Sequence, residues 1–218
     1  SRPNILIIVG DDMGYADVGF HGCRDIPTPN LDALAGSGVR FTNGYVSGPY
    51  CSPTRAGLLT GRYQTRFGHE FNPHVGEEAR LGLPLEERTI ADHLRGAGYA
   101  TALVGKWHLG WDEPFRPARH GFDEYLGLPY SNDSNEWPPG EPFMQVMGLQ
   151  PLPLIDGDRI VEAPADQASL TRRYTERAVA FIRANRDRPF LLYLPHTMPH
   201  IPLFMIPIPI MPGTRKSM

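Results

Sequence analysis

The sequence predicts an α/β layered fold with a mainly parallel sheet. Three observations carry this. Apolar strands alternate with helical segments along the chain, the strands read as continuous apolar runs, and three of them end in polar, chemically capable residues. Residues 4–9 (N-I-L-I-I-V) form such a run, as a strand buried on both faces does, and it stops at Gly10-Asp11-Asp12. Residues 28–35 read as a short helix with Thr28 as cap and Pro29 in the first turn. Residues 39–43 (V-R-F-T-N) alternate and predict a strand. A helix follows Cys51, with Pro53 in its first turn and Gly61 as its stop.

Residues 88–95 predict another helix, with Ile90, Ala91 and Leu94 on one face and Gly96 or Gly98 ending it. Residues 99–104 form a strand that runs into Gly105-Lys106-Trp107-His108-Leu109-Gly110. Residues 111–164 are rich in proline and glycine without a clear period, so they read as loops with short pieces of structure. Residues 165–186 carry the best helical stripe: Leu170, Tyr174, Ala178, Phe181 and Ile182. Residues 190–194 form a strand leading to Pro195-His196-Thr197-Met198-Pro199-His200. In open α/β sheets, ligands bind beyond the carboxyl ends of the strands. The ends carrying Asp11 and Asp12, Lys106 and His108, and His196 and His200 are therefore expected to converge on one site.

The chain has 218 residues, enough for one sizeable core, and a formal net charge of -3 that offers no basic footprint for nucleic acid. No apolar run is long enough to span a bilayer and no signal peptide is seen; the start at Ser1-Arg2-Pro3 suits a mature or trimmed form. The two cysteines, Cys23 and Cys51, are not expected to form a disulfide framework; they either pair with each other or stay free. Asn132-Asp133-Ser134 matches a glycosylation sequon, a triplet common by chance.

Residues 51–62, C-S-P-T-R-A-G-L-L-T-G-R, are the most informative stretch. A cysteine at a helix N-terminus lies beside unpaired N–H groups, which lower a thiol pKa and bind anions. Arg55, one turn on, adds a planar fork suited to an oxyanion. Asp11 and Asp12 offer carboxylates suited to Ca²⁺ or Mg²⁺, or a simple polar turn. Lys106 and His108, at alternate positions, face one side if the backbone is extended, and can hold an anion and move a proton. His196 and His200 have a metal-ligand spacing, but no nearby cysteine or acid supports zinc. Trp107, Trp111 and His74 either border a pocket or belong to ordinary core and surface.

The run from Cys51 to Arg62 resembles the signature of the formylglycine-dependent (type I) sulfatases. The likeness extends to N-I-L-I-I-V-G-D-D-M-G-Y-A-D-V-G, to P-T-P-N-L-D-A-L-A-G-S-G-V-R-F-T-N-G-Y, to G-K-W-H-L-G, to G-F-D-E-Y-L-G-L-P-Y-S-N-D and to P-H-T-M-P-H-I-P. The resemblance implies an alkaline-phosphatase-like fold with helices on both sheet faces, spanning residues 1–204, with residues 205–218 as an atypical proline-rich tail. It implies oxidation of Cys51 to formylglycine by a formylglycine-generating enzyme. The aldehyde hydrate would attack sulfur, with Ca²⁺ held by Asp11, Asp12 and the modified Cys51. Arg55 would hold the hydrate and His108 would take its second proton. Lys106, Ser131 and His200 would hold the sulfate and assist the leaving oxygen.

The substrate implied is a sulfated small molecule or glycan, and the compartment periplasmic, secreted or lysosome-like. Family members are about twice this long. Their later half supplies an Asp-Asn pair and a second lysine that these residues do not contain. Two alternatives follow: a phosphonate or phosphodiester hydrolase of the same superfamily, and a catalytically incompetent fragment that keeps anion affinity.

Overall fold

The structure, a computed structural model, describes residues 2–73, 81–135 and 151–204. Its strands are β1 (Ile5–Val9), β2 (Ala100–Val104), β3 (Glu124–Gly127), β4 (Leu154–Asp156), β5 (Arg159–Glu162) and β6 (Phe190–Pro195). They form one sheet in the order β1-β6-β2-β3-β4-β5. The pairs β1–β6, β6–β2 and β2–β3 are parallel, while β4 and β5 return antiparallel. The main helices are α1 (Pro29–Ser37), α2 (Cys51–Thr60), α3 (Ile90–Gly96) and α4 (Leu170–Ala184).

Helices cover both faces of the sheet, as predicted. Successive side chains of a strand point to opposite faces. Phe190, Leu192 and Leu194 of β6 join Ala100, Ala102 and Val104 of β2 under Leu170, Tyr174, Ala178 and Phe181 of α4. Leu191 and Tyr193 face the other way, towards Ala56 and Leu59 of α2 and Ala91 of α3. A strand buried on both faces has no reason to alternate, which is why β2 and β6 read as apolar runs. Helix α3 starts as a capping box: Thr89 Oγ1 accepts from Ala91 N and Asp92 N, and Asp92 Oδ2 accepts from Thr89 N at 2.9 Å.

Two expectations need correction. Residues 39–43 form no strand; Val39 and Phe41 are largely exposed, and no strand among the described residues pairs with them. Alternation encodes a strand only where a neighbour completes the ladder. Strand β1 is not buried on both faces, since it is an edge strand among the described residues, with Leu6 and Ile8 46% and 50% exposed. Residues 111–164 carry the short pieces of structure expected there, β3, β4 and β5. Each has three or four residues, too few for a period to show. The tail 205–218 and His74 lie outside the described residues.

The chain beyond β2 is threaded between its neighbours. Gly105 N–H donates to Leu126 O (2.8 Å), Lys106 N–H to Pro195 O (2.8 Å), and Trp107 N–H to Leu128 O (2.9 Å). Two glycines make this approach possible: a Cβ on Gly127 would meet Gly105 O at 1.7 Å, and one on Gly105 would meet Pro195 O at 1.9 Å. Gly127→Ala is therefore expected to lower stability by about 3 kcal/mol or more through forced backbone movement. Urea unfolding checks this, and a loss below about 1 kcal/mol would show that the strands tolerate separation.

The buried rings His69 and His120 couple the fold to pH. Burial pushes both down to about 4, against the opposing pull of the Gly82 backbone on His69 and of Asp92 on His120. Below the ordinary histidine pKa the unfolded chain takes up protons that the native state refuses, so acid costs stability. The loss spans about pH 6.5 to 4 and reaches about 2 kcal/mol per ring by pH 5. Urea midpoints at pH 7 and pH 5 measure it. His120→Leu removes one ring's share, and an unchanged pH slope in that variant would refute its assignment to His120.

Candidate active site

Helix α2 places its first residue at the carboxyl end of the sheet. Tyr50 precedes it in extended backbone and provides no side-chain cap, so the first N–H groups lack a local acceptor. Cys51 opens the helix half-buried, and Gly61 closes it in left-handed backbone, its N–H donating to Gly57 O at 2.9 Å. Arg55 lies one turn inward, almost wholly buried.

The polar residues at the ends of β1, β2 and β6 meet here. Lys106 Nζ, which is fully buried, donates to Asp11 Oδ2 (2.6 Å), Ser131 Oγ (3.1 Å) and Cys51 Sγ (3.3 Å). Arg55 donates to Asp11 Oδ1 (2.8 Å) and to Lys106 O (2.8 Å). His200 Nε2 lies 3.4 Å from Ser131 Oγ and 3.3 Å from Asp12 Oδ2. Asp11 N–H donates to Met198 O (3.1 Å), tying the end of β1 to the segment that carries His200. One ligand atom each from Asp11, Cys51 and His200 falls within 4.8 Å of the others.

Burial raises the Asp11 carboxyl pKa, but Arg55 and Lys106 outweigh it and hold the group below its ordinary value. The buried trio Arg55, Lys106 and Asp11 thus carries one positive charge in excess beside Cys51. A cavity of about 220 Å³ opens on it, lined by Asp11, Asp12, Tyr50, Cys51, Arg55 and Tyr193. Such a pocket suits a tetrahedral anion.

Other residues sit elsewhere or differently. His108 is buried with its ring edge-on to Tyr130, 6.3 Å between centroids. Its φ of 59° ends the extended run on which the same-side expectation for Lys106 and His108 rested. His196 turns towards Tyr174 of α4, ring centroids 6.2 Å apart, and joins no metal-binding group among the described residues. Trp107 is core, packed on His120 and Phe122, and Trp111 lies under the Arg116 guanidinium.

Asn132, the first residue of the sequon-like triplet, belongs to the interior. Its side chain is fully buried and its amide donates to His200 O (3.4 Å) and Pro202 O (3.2 Å). It braces the His200 segment, a role masked in sequence by the triplet. Tyr193, on the inward face of β6, also escaped notice, because a tyrosine in an apolar strand reads as core.

The donor set fits a hard cation in kind and only partly in number. Asp11 and Asp12 provide carboxylates, and Asp12 adopts φ 55°, with its carboxylate beside His200. Calcium takes about six to eight oxygens, so two carboxylates need help from water or further groups. The Cys51 thiol is a soft donor poorly matched to such an ion, whereas oxidation to an aldehyde hydrate would put oxygens there.

The family model described as Sulfatase matches residues 3–207. Arylsulfatase G of Rattus norvegicus is 41% identical over 226 residues, covering 94% of this chain and 43% of its own length. Arylsulfatase A of Bos taurus is 42% identical over 221 residues, covering 94% of this chain and 42% of its own. The solved structure of Ps i-CgsB in complex with k-i-k-neocarrahexaose superposes with a TM-score of 0.78 at 38% identity, over 93% of this chain and 46% of that one. The chain therefore spans less than half the length of these relatives. With the signature cysteine, its arginine, Asp11, Lys106 and His200 in one cluster, and a family match along nearly all of its length, the chain belongs to the sulfatase family.

Proposed function

We propose that this chain is the nucleophile-bearing portion of a sulfuric ester hydrolase that acts on a sulfated carbohydrate. The observation that carries the reading is Cys51 at the start of α2, 3.3 Å from the Lys106 ammonium, in a buried cluster with excess positive charge. The relative bound to k-i-k-neocarrahexaose supports a carbohydrate substrate.

In this reading Cys51 is oxidised to formylglycine, whose hydrate supplies a hydroxyl nucleophile and a second hydroxyl for release of sulfate. Asp11, Asp12 and the modified Cys51 would hold Ca²⁺, which would offset the charge of the sulfate oxygens. Arg55 orients position 51. Lys106, Ser131 and His200 bind sulfate oxygens; His200, poised between Ser131 and Asp12, gives a proton to the leaving oxygen. His108 takes the proton whose loss frees the sulfate. Preorganised donors of this kind stabilise charge without reorganising during the reaction. No helix among the described residues is long and apolar enough to cross a membrane, and we place the protein in an exported or lysosome-like compartment.

Any tetrahedral oxyanion would satisfy the same donors, so a phosphonate or phosphodiester hydrolase is the second reading. The small number of carboxylates favours a third, an incompetent fragment. One experiment separates them: the chain is made with a formylglycine-generating enzyme and assayed on 4-nitrophenyl sulfate, 4-nitrophenyl phosphate and a phosphodiester, with and without Ca²⁺. Faster cleavage of the sulfate supports the proposal, faster cleavage of a phosphorus ester the second reading, and none at all the third.

A further inference from the structure

The segment after α2 doubles back across the start of that helix. A turn at Gln64–Arg66 and a left-handed Gly68 reverse the chain, and His69 N–H donates to Gln64 O at 3.1 Å. Residues 69–72 then contact the two neighbours of Cys51. Tyr50 Oη donates to Glu70 O (2.6 Å), and Ser52 N–H donates to Asn72 Oδ1 (2.9 Å). Ser52 Oγ and His69 Nε2 share a hydrogen at 2.6 Å, and both side chains are buried from water. The His69 ring rests against Phe71, centroids 4.6 Å apart.

The first N–H groups of a helix have no intrahelical acceptor, and Tyr50 supplies none. Asn72 supplies one from twenty residues away. A buried hydroxyl must be paired, and an apolar residue would pack under α2 without needing a partner. The Ser52–His69 pair is a directional contact where a merely space-filling one would suffice for folding. It fixes the rotation of the first helical turn, and that rotation decides where the Cys51 side chain points.

We propose that His69 and Asn72 are positioning residues: they clamp Tyr50-Cys51-Ser52 so that the Cys51 side chain is aimed at Lys106. This deepens the proposed function, since it concerns the residue assigned there as nucleophile. It does not require turnover to be tested.

The test uses the full chain in its thiol form, without the generating enzyme. Cys51 and Cys23 are both free and half-buried, so peptide masses give both alkylation rates with iodoacetamide in one sample. The rate depends on how the sulfur is presented, so it reports whether the side chain still points to the Lys106 ammonium 3.3 Å away. His69→Leu and Ser52→Ala are each expected to lower the Cys51 rate to about one tenth, with Cys23 unchanged. The double variant is expected to fall no further, because both changes break one contact. His69→Gln, which keeps a side-chain amide near Ser52, is expected to recover the rate to within about threefold of the parent. If His69→Leu does not fold, Asn72→Ala takes its place with the same expectation.

A folded variant whose Cys51 rate stays within about twofold of the parent overturns the proposal, as does a parallel fall at Cys23 or an additive double variant. Failure of the sulfatase reading would show separately, as absence of aldehyde or hydrolysis in the unmutated chain.

Discussion

In the sulfatase reading Cys51→Ala is expected to abolish sulfate-ester hydrolysis, a loss of at least about 10⁴-fold, while leaving stability within about 1 kcal/mol of the parent. The two halves of this expectation come from different features. Without the thiol, the side chain at position 51 cannot be converted to the aldehyde whose hydrate supplies the nucleophilic hydroxyl, and no neighbouring group replaces it: Ser52 is fully buried and bound to His69. Stability barely moves, because Lys106 keeps its contacts with Asp11 and Ser131, so no charge is orphaned. Alanine also suits a first helical turn. Hydrolysis of 4-nitrophenyl sulfate and urea unfolding, run on one preparation, check both halves. Residual activity above one per cent or so of the parent would exclude Cys51 as nucleophile.

Lys106→Met separates from this by damaging both properties. The side chain is fully buried and donates to three different residues. Methionine fills similar volume without charge, which leaves Asp11 neutralised by Arg55 alone. Asp11 keeps its pair with Arg55, but Asp11 Oδ2 and Ser131 Oγ lose a buried charged donor, which costs about 1–3 kcal/mol. The surface pair Arg119–Glu113 gives the contrast: both side chains are more than half exposed. Arg119→Ala is accordingly expected to cost less than about 1 kcal/mol. In the sulfatase reading, Lys106→Met also removes a sulfate-oxygen donor, and hydrolysis falls about 10²- to 10³-fold. Full retention of stability would mean that water reaches Asp11 and that the site is not the dry, preorganised cluster described above.

The contrast between these residues also shows what is legible in one sequence. Strands β2 and β6 stand out because burial on both faces makes them continuous apolar runs, and α4 because its stripe is regular. Strand β1 reads the same way although Leu6 and Ile8 on its outer face are half exposed at the sheet edge. β3 to β5 are set by pairing rather than by their own residues, so nothing local announces them. Residues 39–43 show the converse, an alternating pattern with no partner among the described residues. The site behaves likewise. Motifs name Asp11, Cys51, Arg55, Lys106, Ser131 and His200, and strand order predicts their convergence. That Asp11 lies between Arg55 and Lys106 depends on contacts across 44 and 95 residues. The bracing by Asn132 and the clamp by His69 and Asn72 are hidden for the same reason. Their side chains act on backbone groups and on a serine, partners that carry no motif of their own.

The mass of the peptide carrying Cys51, from chain produced together with a formylglycine-generating enzyme, tests the central claim most directly. The account predicts the aldehyde at position 51 and an unmodified thiol at Cys23. A thiol retained at Cys51, under conditions in which a known sulfatase is converted, would contradict it and leave the pocket an anion-binding site without its nucleophile.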